Sequence, residues 1–129
     1  MTIRIDRRKL LAATGMMTVG ALAGIRPVFA AGKDLTIATS LPSLEFPFFV
    51  HMQKQLISEA QKIGGIKLIN MDGENKAPKQ TADVEAAITQ KVDAIVISPT
   101  DVNAMAPALE AAVKAGIPVV TIDRRVAKV

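Results

Sequence analysis

From residue 35 onward, short unbroken apolar runs alternate with longer amphipathic stretches. Leu35–Leu41, Ile66–Met71, Ala94–Ser98 and the run opened by Pro118 are rich in Ile, Val, Leu and Thr. They lack period-2 alternation, which predicts strands covered on both faces, as in a parallel sheet. The intervening stretches carry helical spacing. Phe49, Met52, Leu56, Ala60 and Ile63 recur at three and four residues between Pro47 and about Ile63, which makes one apolar stripe. A second helix is predicted over about Gln80–Lys91 with Val84, Ala87 and Ile88 inward, after a polar loop from Asp72 to Lys79. A third is predicted over about Asn103–Ala115, with Met105, Ala108, Leu109, Ala112 and Val113 on one face. Pro47 suits a first helical turn, and Gly64-Gly65 and Gly116 suit helix ends. This strand–helix alternation predicts an α/β fold, a doubly wound, Rossmann-like parallel sheet with helices on both faces and right-handed crossovers.

The first 31 residues do not belong to that pattern. Arg7-Arg8-Lys9 precedes an apolar run, Leu10 to Ile25, and Val28-Phe29-Ala30 places small residues where signal peptidase cuts. The segment reads as an export signal cleaved near Ala30/Ala31. Asp6-Arg7-Arg8-Lys9-Leu10-Leu11 resembles the twin-arginine signature, with general secretion as the alternative route. Localisation to the periplasm follows, leaving residues 32–129 as the mature domain. The charge supports the division. Arg4, Arg7, Arg8, Lys9 and Arg26 stand against Asp6 in the signal, whereas bases and acids balance at eleven each in residues 32–129. The net charge of +4 therefore belongs to the signal, and no nucleic-acid partner is expected. The chain has no cysteine, hence no disulfide frame or thiolate chemistry.

In a parallel sheet every strand ends at the same edge, and ligands of open α/β sheets bind there. That edge collects Ser40, Glu45 to Phe49, Asp72, Ser98 to Asp101, and Asp123-Arg124. All three aromatic residues after position 31, Phe46, Phe48 and Phe49, fall in the first of these loops. Aromatic faces stack on the C–H faces of sugar rings, and an acceptor beside a five-donor guanidinium suits hydroxyl groups. One of the three rings is also suited to a packing role at the helix start, Phe49 first among them. Enzyme signatures are absent. The loop after the first strand is Leu41-Pro42-Ser43-Leu44 rather than a glycine-rich phosphate loop, and there is no Walker-type sequence. The single histidine, His51, lies inside the first helix, and no cluster has metal-ligand spacing. No cofactor, no metal and no catalysis are expected.

Three segments carry a resemblance. Pro47-Phe48-Phe49, Ile97-Ser98-Pro99-Thr100-Asp101 and Ala115-Gly116-Ile117-Pro118-Val119-Val120-Thr121-Ile122-Asp123-Arg124 are similar, in order and spacing, to the ribose-type periplasmic sugar-binding proteins. These are substrate-binding subunits of ABC sugar importers. The resemblance implies a protein of two lobes that closes on a monosaccharide or related polyol and delivers it to membrane permease components. It implies a monomer, with Phe48 and Phe49 stacked on the ring and Asp123 and Arg124 bonded to hydroxyls. With the edge residues above, the expected ligand-binding set is Phe46, Phe48, Phe49, Ser98, Asp101, Asp123 and Arg124. Ser98 and Phe46 stand where the ribose binders carry asparagine, and the first loop is one residue longer. These departures point away from ribose itself. The chain stops five residues after Arg124. It is expected to be the N-terminal part of such a protein, a fragment or a truncated reading frame, and to bind sugar weakly or not at all alone. The rival readings are an exported binder that feeds a sensor or takes a non-sugar signalling molecule, and a non-functional fragment. A regulator of the lactose-repressor type would need a helix-turn-helix where the signal stands. An enzyme of flavodoxin-like fold would need a phosphate loop or a base.

Overall fold

In the computed structural model, residues 34–126 are described. The expected export signal lies outside them. Strands β1 (Leu35–Leu41), β2 (Ile66–Asp72), β3 (Ala94–Ile97) and β4 (Val119–Thr121) form one parallel sheet in the order β2-β1-β3-β4. Helices α1 (Pro47–Ile63), α2 (Ala77–Thr89) and α3 (Val102–Lys114) make the crossovers. The doubly wound α/β expectation holds. The chain steps from β1 to β2 on one side, then returns past β1 to β3 on the other. The strand order therefore reverses between β1 and β3, which is where a crevice opens beyond the carboxyl ends.

Alternating residues of the inner strands serve different faces. Ala38, Ile95 and Ile97 pack with Val84 and Ala87 of α2 and with Met105, Leu109 and Ala112 of α3. Ile37, Thr39 and Val96 face Leu56, Ala60 and Ile63 of α1. Full burial of a Leu, Ile or Met side chain contributes about 1.5–3 kcal/mol. Ile95, Ile97, Met105 and Leu109 are completely enclosed, so the α2–α3 face carries most of the apolar stabilisation.

Four sequence expectations are corrected. Helix α2 starts at Ala77 rather than Gln80 and stops at Thr89, because Pro78 sits in the first turn, where its missing N–H costs nothing. The expected full cover of the fourth strand fails at Val120, which is 52% exposed. Val120 pairs with Val96 on the α1 face at the edge of the sheet, and α1 packs mainly on β2, at the opposite edge. Ile63, at the last residue of α1, and Val113, near the end of α3, are also exposed although both were expected on apolar faces.

Two local devices fix the loops at the carboxyl edge. Gly73 directly follows β2 and is buried. A Cβ there would lie 2.6 Å from Gln80 Cγ, 2.9 Å from the Leu41 carbonyl and 3.0 Å from the Pro42 carbonyl. Only a residue without a side chain lets these segments meet. Asp101 is the N-cap of α3, and its Oδ1 accepts from Asn103 N (2.8 Å) and Ala104 N (2.9 Å). The bonds from Ala104 and Asn103 favour the ionised carboxyl and hold its pKa below the ordinary 3.8.

Gly73→Ala should destabilise the fold by about 2 kcal/mol, since two of the three atoms met are backbone and cannot swing aside. A urea unfolding midpoint equal to that of the parent would contradict this packing. The Asp101 pKa is lower folded than unfolded, so its contribution is complete above the unfolded value and is lost as pH falls through the folded one. Asp101→Ala should lower the thermal midpoint at neutral pH, and the gap from the parent should close in acid. A gap independent of pH would show that the charge on the cap is immaterial.

Candidate functional site

The carboxyl edge is built from three loops. The loop from β1 into α1 is held by its own polar groups and by Asp72. Asp72 Oδ1 accepts from Leu44 N at 3.2 Å and Glu74 N at 2.9 Å, and Ser43 Oγ accepts from Glu45 N at 3.2 Å. Asn75 N donates to the Pro42 carbonyl at 2.6 Å. The loop delivers three phenyl rings to the start of α1. Phe49 is buried, and Phe48 and Phe46 meet it edge-on, with centroids at 5.1 Å and 6.4 Å. Edge-to-face pairs of this kind contribute about 0.5–1.5 kcal/mol beyond burial. Phe49 thus takes the packing role and carries its neighbours, while Phe48, 58% exposed, and Phe46, 47% exposed, keep their surfaces free.

The second loop, Ser98-Pro99-Thr100, joins β3 to α3. Ser98 is fully buried and its N–H donates to the Ser40 carbonyl at 3.0 Å. The third loop leaves β4. Arg124 N donates to the Ile122 carbonyl at 2.6 Å across Asp123, whose φ is 62°. This is a three-residue turn with its central residue in the left-handed region, a strained arrangement that aspartate tolerates better than most residues. The turn brings Asp123 Oδ2 to within 3.3 Å of Ser98 Oγ, which donates to it. Arg124 Nη1 donates to the Thr100 carbonyl at 2.9 Å and reaches the Pro99 carbonyl at 3.5 Å, while its Nε lies 3.7 Å from Asp123 Oδ2.

Ser98, Asp123 and Arg124 are therefore brought together, as expected. Both charged side chains are part-exposed. Asp123 Oδ1 and Arg124 Nη2 have no partner among the described residues, which leaves one acceptor and one two-proton donor on consecutive side chains. That pairing suits two neighbouring hydroxyls. Asp101 belongs to the same edge, but its Oδ1 is committed to the α3 cap. The phenyl group and the Asp123–Arg124 group stand on different loops of one edge. Among the described residues no group of three His, Cys, Asp or Glu could hold a metal ion.

Sequence reasoning missed a layer of polar groups beneath these loops. Gln80, on α2, is fully buried; its Nε2 donates to the Ser98 carbonyl (2.9 Å) and to Ser40 Oγ (3.2 Å), and its Oε1 accepts from Thr100 N (2.7 Å). Ser40 Oγ donates in turn to Asp83 Oδ2 at 3.4 Å, and Asp83 pairs with Lys79. The bond that Lys79 donates to Asp83 holds the Lys79 ammonium charged above its ordinary 10.5. Nothing in the local sequence marks Gln80, since a glutamine in a first helical turn usually faces water.

The comparisons with known proteins agree with this fold. A family model described as a periplasmic binding protein domain matches residues 37–128. The ribose import binding protein of Bacillus subtilis (strain 168) is 49% identical over 92 residues, which cover 71% of this chain and 30% of that protein. An ABC transporter solute-binding protein from Mycobacterium smegmatis, solved with bound glycerol, matches with a TM-score of 0.69 and 37% identity, over 75% of this chain and 33% of that one. The Caulobacter myo-inositol binding protein, solved with myo-inositol, matches with a TM-score of 0.70 and 35% identity, over 81% and 34% of the two chains. The chain thus spans about a third of the length of the relatives it matches. On the family model and the parallel sheet together, this chain belongs to the periplasmic binding protein family.

Proposed function

We propose that this chain supplies one wall of a binding site for a monosaccharide or related small polyol, in an exported protein that hands its ligand to an ABC importer. The observation that carries the reading is the Asp123–Arg124 pair, in which one carboxylate oxygen and one guanidinium amino group have no partner among the described residues. Vicinal hydroxyls donate to the first and accept from the second. The exposed face of Phe48, supported by Phe49 beneath it, offers an apolar surface for the C–H face of the ring, with Phe46 at the border of that surface. Ser98 and Asp101 act through the loops. Ser98 orients the Asp123 carboxylate, and Asp101 fixes the start of α3. The relatives named for ribose and solved with glycerol and myo-inositol support a polyhydroxyl ligand. A solute carrier of this kind performs no catalysis. Export to the periplasm, with the signal at residues 1–31, belongs to the same reading, as does a single-copy state.

Calorimetric titration of the native gene product with D-ribose, glycerol and myo-inositol tests the proposal. At least one should bind, and Arg124→Ala should weaken that binding by about tenfold or more, since it removes a hydrogen bond to a charged group. Phe48→Ala should weaken it less, by a few-fold. Asp123→Gly removes the carboxylate but relaxes the left-handed backbone, so it should lose affinity without losing stability. Binding that survives both Arg124→Ala and Asp123→Gly would move the site elsewhere.

A further inference from the structure

We propose that Gln80 is a positioning residue of this edge, which sets where Arg124 and Asp123 stand by clamping the Ser98-Pro99-Thr100 backbone. The inference rests on the sugar-binding reading, because it assigns Gln80 a place in that site without contact with the ligand.

The side-chain amide behaves as a short piece of strand. Its donor meets the Ser98 carbonyl and its acceptor meets the Thr100 N–H, one on each side of Pro99. Pro99 has no N–H of its own, so the loop cannot continue the ladder of β3 through it. Side-chain groups must satisfy the backbone there, and Gln80 is fully enclosed where water cannot substitute. The second Nε2 proton goes to Ser40 Oγ at the end of β1. One side chain thereby ties β1 to the β3–α3 loop across the point where the strand order reverses.

The loop then carries the geometry to the exposed pair. The Thr100 and Pro99 carbonyls receive Arg124 Nη1, and Ser98 Oγ donates to Asp123 Oδ2. Among the described residues, the side-chain contacts that orient the pair from outside its own turn come from the Ser98-Pro99-Thr100 loop that Gln80 clamps, while Ile122 N ties the turn itself to the Ile97 carbonyl. The glycine at position 73 belongs to the same device, since Gln80 Cγ occupies the space a Cβ there would need.

The test is a double-mutant cycle on the native gene product, with whichever of D-ribose, glycerol or myo-inositol binds the parent. Gln80→Met keeps the volume and removes both hydrogen-bonding groups. It should weaken binding by about tenfold, and Gln80→Met combined with Arg124→Ala should be no worse than Arg124→Ala alone within about threefold, because coupled residues do not add. Combined with Phe48→Ala, its loss should multiply. Hydrogen exchange on the unliganded protein gives a second readout. The Thr100 amide should exchange faster in Gln80→Met, while Ile95 and Ile97 in β3 keep their protection. Gln80→Asn, one methylene shorter and unable to span both partners, should show the same pattern and stands in if the methionine variant does not fold. Parent binding with unaltered Gln80→Met binding, or losses that multiply with Arg124→Ala, would overturn the inference alone. A two-lobed protein carrying this chain that takes none of a panel of monosaccharides and polyols, the three probes included, would overturn the sugar reading and this inference with it.

Discussion

A parallel sheet leaves its carboxyl edge short of hydrogen-bond partners, and the structure is arranged around meeting that shortage. Strand carbonyls and loop N–H groups emerge together where β1 and β3 diverge, and each buried one needs a partner. The loops satisfy part of this need through one another, as Asn75 N does with the Pro42 carbonyl. Side chains meet the rest. Asp72 takes Leu44 N and Glu74 N, Asp101 takes two N–H groups of α3, and Gln80 takes Thr100 N while donating to the Ser98 carbonyl. Most polar groups of this edge are bonded within the protein, although the buried Thr100 Oγ1 has no partner among the described residues.

That division separates two kinds of charged residue that look alike in sequence. Asp72, Asp83 and Asp101 each hold two of the protein's own N–H, hydroxyl or ammonium groups, whereas Asp123 accepts a single hydrogen bond, from Ser98 Oγ, beside its ion pair with Arg124. The strain at Asp123 fits the second kind. A left-handed residue in a three-residue turn gains nothing for the fold, and such strain gathers at functional sites. Here it turns a carboxylate back over Ser98 and leaves Arg124 across the neighbouring loop.

The elements that were legible in the sequence were those with strong periodicity or punctuation. Leu35–Leu41 and Pro47–Ile63 fall where the apolar runs, Pro47 and Gly64 place them. Helix α2 begins earlier than expected because the polar stretch from Asp72 to Lys79 reads as loop to its end, whereas a first helical turn accepts Pro78. Val120 was read as covered because an unbroken apolar run does not say which strand lies at a sheet edge; that depends on strand order. Of the site, the acid–base pair was readable from its place at the end of a strand. The Gln80 clamp was not, because it joins residues eighteen to forty positions apart and uses a side chain with no distinctive spacing.

Magnitudes decide how much of a sugar site this edge can be. Two hydrogen bonds to charged groups contribute about 1.5–3 kcal/mol each. One ring face contributes about 1 kcal/mol more beyond the area it covers. Association costs at least about 4 kcal/mol in lost translation and rotation. The balance stays below the roughly 4 kcal/mol that a millimolar dissociation constant represents. On the sugar-binding reading, the Asp123–Arg124 pair and Phe48 can choose the orientation of neighbouring hydroxyls, but tight binding requires a second surface on the other side of the ligand. On that reading the exposed rings of Phe46 and Phe48, with Asp123 Oδ1 and Arg124 Nη2, which have no partner among the described residues, would be the half of such a site that this sheet edge provides.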